Sequence, residues 1–450
     1  MKILSIIFAS LLCTIGIAAQ DTLSLDQCRT MALQYNKEVT AAQKYTENAQ
    51  YTAKSYRSNY FPNITASATG LYSTADGDFS VEGGNLPTFS ADGTQDGGFA
   101  YFPGMDLEYE VGTVLSAGLT LEQPIYMGGK ISAAYKMATL GLDAARAQEK
   151  LTRCEVVVTV EQAYANVVKA KEMNIVAQKY NTLLTELQRN VESAYNHGMK
   201  PQTDVLKVRV KLNESQIAVR KAENALRLAK MNLCHIIGLS LDTDINVDDN
   251  FAMPEVQPSE TDSADILARP EYEMLDYQLA AAEQQVKLIR ADALPQVGLQ
   301  GSYNYNYGIE VNDNTLLNSG NFMVLLNVSI PLFHFGQNSN KTKAAKAQME
   351  QTTIERENLT EQMQLELTQA INNLDEAMLE VQLADNSLQE ADENLRISGR
   401  QYDAGMQTLA DHLEAQAMWQ QTYQTKVEAQ YQLTIAYTQF RKAAGALQTE

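Results

Sequence analysis

The sequence predicts an α+β membrane protein made of two copies of one unit, each running helix–strand–strand–helix–helix. Three observations predict it. Apolar residues recur at alternating spacings of four and three through Met363, Leu367, Ala370, Leu374, Ala377, Val381, Ala384, Leu388, Ala391 and Leu395. That is a heptad stripe, and it calls for long helices packed side by side at a shallow angle. An offset of 207 returns a weaker stripe through Val156, Val160, Ala163, Val167, Ala170 and Ala177. Finally, residues 58–129 and 291–340 contain no Lys or Arg, although by composition these 122 residues should hold about nine.

The repeat extends well beyond the stripe. The offset of 207 pairs Pro124 with Pro331, Gly129 with Gly336, Tyr195 with Tyr402, Gly198 with Gly405, Met199 with Met406, Asp204 with Asp411, and Gly238 with Gly445. Upstream the offset is 233, pairing Pro62 with Pro295 and Glu38 with Glu271, so the first copy carries an insertion of 26 residues. A repeat of this length is too long for a solenoid unit and reads as a duplicated domain. The expected organisation is a signal peptide over 1–19, a first repeat over 20–238, a linker over 239–263 and a second repeat over 264–450.

Composition narrows the function classes. With 450 residues, 45% of them hydrophobic, the chain can bury a large core. A formal net charge of -20 argues against nucleic acid as a partner, because phosphate recognition needs Lys/Arg patches. It suits either a lumen that favours cations or an acidic soluble surface. Residues 1–19 read as a secretory signal: Lys2, an apolar run from Ile3 to Ile17, then Ala18 and Ala19. Past it stand Cys28, Cys154 and Cys234, odd in number and without a CxxC spacing, which read as small apolar residues on helices. His197, His235, His334 and His412 are scattered without ligand spacing. No metal, cofactor or enzyme motif is expected.

In chain order, residues 24–58 read as one helix, with Ser24 as cap and Gln27 completing a capping box, ended by Pro62. The cation-free segments then alternate with period two. Val297, Leu299, Gly301, Tyr303, Tyr305 and Tyr307 interleave with polar residues, as do Phe322, Val324, Leu326, Val328 and Ile330 with Met323, Leu325, Asn327 and Ser329. Strands are expected near 63–73, 112–124, 296–308 and 321–331. Their length and dyad pattern fit transmembrane β-barrel strands, with Arg57, Lys130, Arg290 and Lys341 at the edges of the cation-free bands. A soluble hairpin buried on one face is the competing reading. Four strands cannot close a barrel, and open edges are not tolerated in lipid, so several copies are expected to share one barrel. Residues 73–110, rich in Gly and Asp, read as a long loop, either receptor-like or a tolerated insertion. A helix of about 100 Å is expected over 129–195. A turn at Gly198, a helix over 203–237 capped by Gly238, and a short strand near 244–247 come next. The second copy repeats the order, with a helix to about 294, a long helix to Tyr402, a turn at Gly405 and a helix to Ala444.

These repeats, the prolines at the strand–helix junctions and the turn motifs over 195–206 and 402–414 make the chain resemble the TolC-like outer membrane efflux proteins, over nearly its whole length past the signal. The resemblance implies a homotrimer with a twelve-stranded barrel in the outer membrane of a Gram-negative bacterium, continued by a long α-helical barrel in the periplasm. It also implies a passive exit duct of a tripartite efflux or type I secretion system, joined to an inner-membrane pump through a periplasmic adaptor (membrane fusion) protein. Gly198, Met199, Gly405 and Met406 would be the adaptor-contact turns, although a glycine there is also explained by a left-handed turn. The periplasmic gate would comprise Thr203, Asp204, Tyr402, Gln407, Asp411 and Glu414. Gln407 stands where some members place an arginine. Asp411 and Glu414, three apart on one helix face, would form an acidic ring that selects cations; an acidic helix start favoured by the dipole is the simpler reading. The alternative from another class is a soluble periplasmic helical-hairpin scaffold or adaptor.

Overall fold

The computed structural model describes residues 22–248, 265–312 and 314–447. The signal expected over 1–19 and most of the expected linker, residues 249–263, lie outside that range. The chain divides into two compact units: one from Met1–Ala49, Leu142–Gln278 and Thr353–Glu450, the other from Gln50–Gly141 and Leu279–Thr352.

The elements in order are helices α1 (Leu25–Tyr35) and α2 (Lys37–Ser58), strands β1 (Asn63–Val81), β2 (Gly84–Phe89), β3 (Gln95–Phe102) and β4 (Met105–Met127), and helices α3 (Lys130–Asn196) and α4 (Gln202–Ile237). Then come α5 (Pro270–Ala291), β5 (Gln296–Val311), β6 (Asn314–Ser329), α6 (Gln337–Asp403) and α7 (Leu409–Ala443). The expected helix over 24–58 is in fact two. Ser24 and Gln27 do form the capping box, but Asn36 leaves the helical region at φ -65°, ψ 134°. Its side-chain oxygen accepts from the Glu38 N–H at 2.8 Å and its amide donates to the Ile236 carbonyl at 3.0 Å. Asn offers the backbone a local alternative to the helix ladder, and here that alternative wins.

The unit containing the strands holds one antiparallel sheet in the order β1-β4-β5-β6, with β1 and β6 at its edges. Asn63 pairs with Glu122, Leu115 with Tyr307, and Val297 with Val328. The alternating apolar residues stand exposed, among them Phe322, Val324, Leu326 and Val328 on β6. The expected loop over 73–110 is a correction: β1 and β4 stay paired as far as Val81 opposite Met105, and β2 and β3 make a second hairpin. Gly and Asp suggested coil, yet alternating Phe79, Val81, Phe99 and Tyr101 carry strand preference, and the ladders pair β1 with β4 and β2 with β3. The β2–β3 turn places Gly93 at φ 79°, with its N–H on the Ser90 carbonyl.

The core lies in the helical unit, where both stripes are buried. Val156, Val160, Ala163 and Val167 of α3 pack with Cys28, Leu233 and Cys234. Ala370, Leu374 and Ala377 of α6 pack with Leu433 and Phe440 of α7. Glu161, only 4% exposed, ties three helices together: Arg29 of α1 donates to it, the Thr438 hydroxyl of α7 donates at 2.6 Å, and Arg441 lies 3.7 Å away. Arg269 plays a similar part in the second copy, reaching Glu271 at 2.9 Å and Glu366 at 2.7 Å. Burial raises the Glu271 carboxyl, but the Arg269 contact outweighs it and leaves it below the usual range.

Candidate functional site

The two turns joining the paired helices share one backbone solution. At the end of α3 the Gly198 N–H bonds the Tyr195 carbonyl at 2.8 Å and the Met199 N–H reaches back to Ala194 at 2.9 Å. At the end of α6, Gly405 bonds Tyr402 at 3.0 Å and Met406 bonds Gln401 at 2.8 Å. This is the Schellman pattern, which needs a left-handed residue after the helix; both glycines sit at φ 74° with nothing near the position a Cβ would take. The turns project Met199 and Met406 outward, 70% and 81% exposed.

The helices beyond the turns start differently in the two copies. Helix α4 starts after Pro201 with no side-chain cap. Helix α7 starts with Thr408, whose hydroxyl accepts from the Asp411 N–H while the Asp411 carboxylate accepts from the Thr408 N–H, both at 3.2 Å. The Thr408 hydroxyl also donates to the same carboxylate oxygen at 2.7 Å. Asp411 therefore has a helix-capping role, and Glu414, three residues on along the same face, is exposed.

Tyr402 is the best-packed of the expected gate residues, 9% exposed within the cluster of Val191, Val205, Leu409 and Trp419. Its ring stacks on His412 with centroids 5.1 Å apart and planes 7° from parallel. The Lys200 ammonium lies over the same ring, 4.7 Å from its centroid. Burial pushes the Tyr402 hydroxyl above its ordinary pKa, helped by the negative charges of Asp204 and Asp403. Thr203 is exposed and Asp204 half-buried. Among the described residues of one chain, no hydrogen bond joins either of them to Tyr402. Gln407 is half-buried, with its side-chain oxygen enclosed and without a hydrogen-bond partner among the described residues.

Ligand spacing gave no reason to single out His412. It is 7% exposed, its Nδ1 lies 3.0 Å from the Ser398 hydroxyl and its Nε2 lies 3.0 Å from the Gln416 side-chain nitrogen. Ser398 and Gln416 are themselves buried, at 2% and 3%. A signal was available. The offset of 207 lays His412 on Val205 and Ser398 on Val191, a polar pair on an apolar one.

A duplicated chain with an apolar, uncovered sheet in one unit, and paired helices joined by matched glycine turns in the other, is the organisation expected of the outer membrane efflux proteins. The model of the outer membrane efflux protein family matches residues 29–239 and 266–446. The chain belongs to that family, and it is an outer membrane efflux channel rather than a soluble scaffold or adaptor. The outer membrane protein TolC of Vibrio cholerae serotype O1 is 22% identical over 346 residues, 74% of this chain and 77% of that protein. The CmeC outer membrane channel of Campylobacter jejuni shares the fold with a TM-score of 0.73 at 20% identity, covering 94% of this chain and 85% of that one. VceC of Vibrio cholerae aligns with a TM-score of 0.73 at 16% identity, covering 94% and 96%. The open state of the MtrE channel of Neisseria gonorrhoeae gives 0.71 at 18%, covering 94% and 88%.

Proposed function

We propose that three copies of this chain close one twelve-stranded barrel and serve as the passive exit duct of a tripartite efflux or type I secretion system. The observation that carries the reading is the open sheet. β1 and β6 are edge strands with apolar side chains standing free, and unpaired backbone in lipid costs several kcal/mol per group. Pairing β6 of one copy with β1 of the next removes both edges of that sheet. The chain does no chemistry; a pump in the inner membrane supplies the energy through an adaptor protein. Met199 and Met406, held outward by Gly198 and Gly405, suit the adaptor contact, because exposed methionine moulds to a partner surface.

The gate in this reading is the end of the helix pairs that carries Thr203, Asp204, Tyr402 and Gln407. Links from these residues to a neighbouring copy hold the pairs together, and opening splays them. Gln407 supplies a neutral contact where an arginine would give a charge-assisted one. Asp411 and Glu414, three times over, place six carboxylates round the constriction and favour cations. In the same reading the chain comprises a signal over 1–19, a first repeat over 20–238, a linker over 239–263 and a second repeat over 264–450. Bilayer recordings of the detergent-extracted protein test the gate: Tyr402→Phe with Asp204→Ala should raise conductance, and unchanged conductance would sink it.

A further inference from the structure

The duplication provides an internal control for the buried cluster behind Tyr402. Val191 and Val205 are 1% and 6% exposed; Ser398 and His412, at the same places in the second copy, are 2% and 7% exposed. One backbone arrangement thus buries an apolar pair in one copy and a polar pair in the other, so packing does not require the imidazole. A buried polar cluster is harder to satisfy than an apolar one and points to a task other than packing.

The hydrogen bonds suggest the task. As the Gln416 nitrogen donates to Nε2, the single ring proton sits on Nδ1, facing the Ser398 oxygen. The Gln416 side-chain oxygen is then buried without a partner among the described residues. Turning that amide over places the oxygen against Nε2, and the ring can donate from both nitrogens, as imidazolium does. One amide flip therefore converts a pocket for the neutral ring into a pocket for the charged one.

Several groups bear on that charge. Asp403 of α6 favours the proton, and Tyr402 of α6 stacks on the ring. From the first turn and α4, Lys200 lies over the Tyr402 ring and Asp204 acts on its hydroxyl. On its own helix Asp411 is engaged with Thr408, and the first turn of α7 presents its positive dipole end. Burial is the largest influence and pushes His412 below its ordinary pKa.

We propose that neutral His412 positions Tyr402 in the closed tip and releases it on taking up a proton, so that mild acid opens the periplasmic end. The inference rests on the reading of Tyr402 as a gate residue. The sign comes from the linkage. A splayed, hydrated ring takes a proton below about pH 6.5, before the packed one does, so the closed arrangement keeps its full stability above that pH and loses it below.

Single-channel recording of the full-length protein from pH 7.5 to 5.0 tests this, on wild type, on His412→Val with Ser398→Val, and on His412→Gln. The double variant copies the apolar pair that the first repeat buries at these places, with the melting temperature as its folding control; the Gln variant keeps a hydrogen-bonding side chain that does not titrate. Wild-type conductance should rise several-fold with acid, and both variants should hold a flat profile. A flat wild-type profile, or the same acid rise in the variants, overturns the inference. Tyr402→Phe with Asp204→Ala at pH 7.5 separates the two failures. If that variant opens the channel while the histidine variants still follow the wild-type profile, the gate stands and only the role of His412 falls. If it does not, the gate reading itself fails.

Discussion

Tyr402 and His412 lie face to face, ring centroids 5.1 Å apart and planes 7° from parallel, at the point where α6 turns into α7. Ten residues separate them in sequence, and the Gly405 turn brings them together. The tip of the second copy is thereby fastened through its own side chains, with Lys200 of the first copy added on the tyrosine ring.

Loosening that tip should be measurable. Removing one hydrogen-bonded link of about 1 kcal/mol changes a two-state ratio about fivefold. Tyr402→Phe with Asp204→Ala should therefore raise mean single-channel conductance by a factor of that order, with the trimer's melting temperature as the control for folding.

Capping and selectivity should separate at the start of α7. Thr408→Ala removes the capping hydroxyl and should cost about 1 kcal/mol of stability per chain in denaturant melts, leaving ion preference unchanged. Glu414→Gln touches no cap and should lower the cation-to-anion permeability ratio, measured from reversal potentials in a salt gradient, with stability unchanged. A selectivity change in the threonine variant would show that the two roles are not separable.

Gly198 and Gly405 offer a purely conformational test. Both stand at φ 74° with open space where a Cβ would go, so Gly405→Ala should cost about 1–2 kcal/mol through backbone strain alone. Gly405→Asn should recover part of this loss, since Asn tolerates the left-handed region, and thermal melts of the two variants compare them directly.

Buried and surface charges should behave differently. Arg29→Ala leaves Glu161 buried with Thr438 and a more distant Arg441, and should cost about 3 kcal/mol. Lys44→Ala breaks an exposed pair with Glu47 and should cost under about 1 kcal/mol. Equal losses in urea titrations would contradict the assignment of Glu161 as the point joining α1, α3 and α7.

Thiol chemistry gives a further check. Burial, with Cys234 as a neighbour, pushes the Cys28 thiol up to about 12. Native protein at pH 8 should therefore resist alkylation at Cys28, and denatured protein should react there fully, as read by mass spectrometry.

The repeat, the helices and the strand pairs were legible because each rests on a local pattern. The heptad from Met363 to Leu395 and the alternation through Val297 to Tyr307 survive without knowledge of any distant contact. The break at Asn36 was not legible, since its amide is held by Ile236, two hundred residues away. The β2–β3 hairpin was hidden by its Gly and Asp content, which masked the strand preference of the alternating Phe99 and Tyr101. At the tip, the glycine turns could be read from residue type, whereas His412 could not be found by ligand spacing: its partners Ser398 and Gln416 are ordinary residues whose importance lies in being buried together. Comparing the two copies position by position was the signal that would have exposed it.

The most direct test of the central claim is the mass of the detergent-extracted outer-membrane protein, measured together with its conductance in a planar bilayer. A particle of about three 49.8 kDa chains, less the signal, that forms a low-conductance, cation-preferring channel is the expected result. A water-soluble monomer without channel activity would contradict it, because β1 and β6 would then have found some partner other than each other.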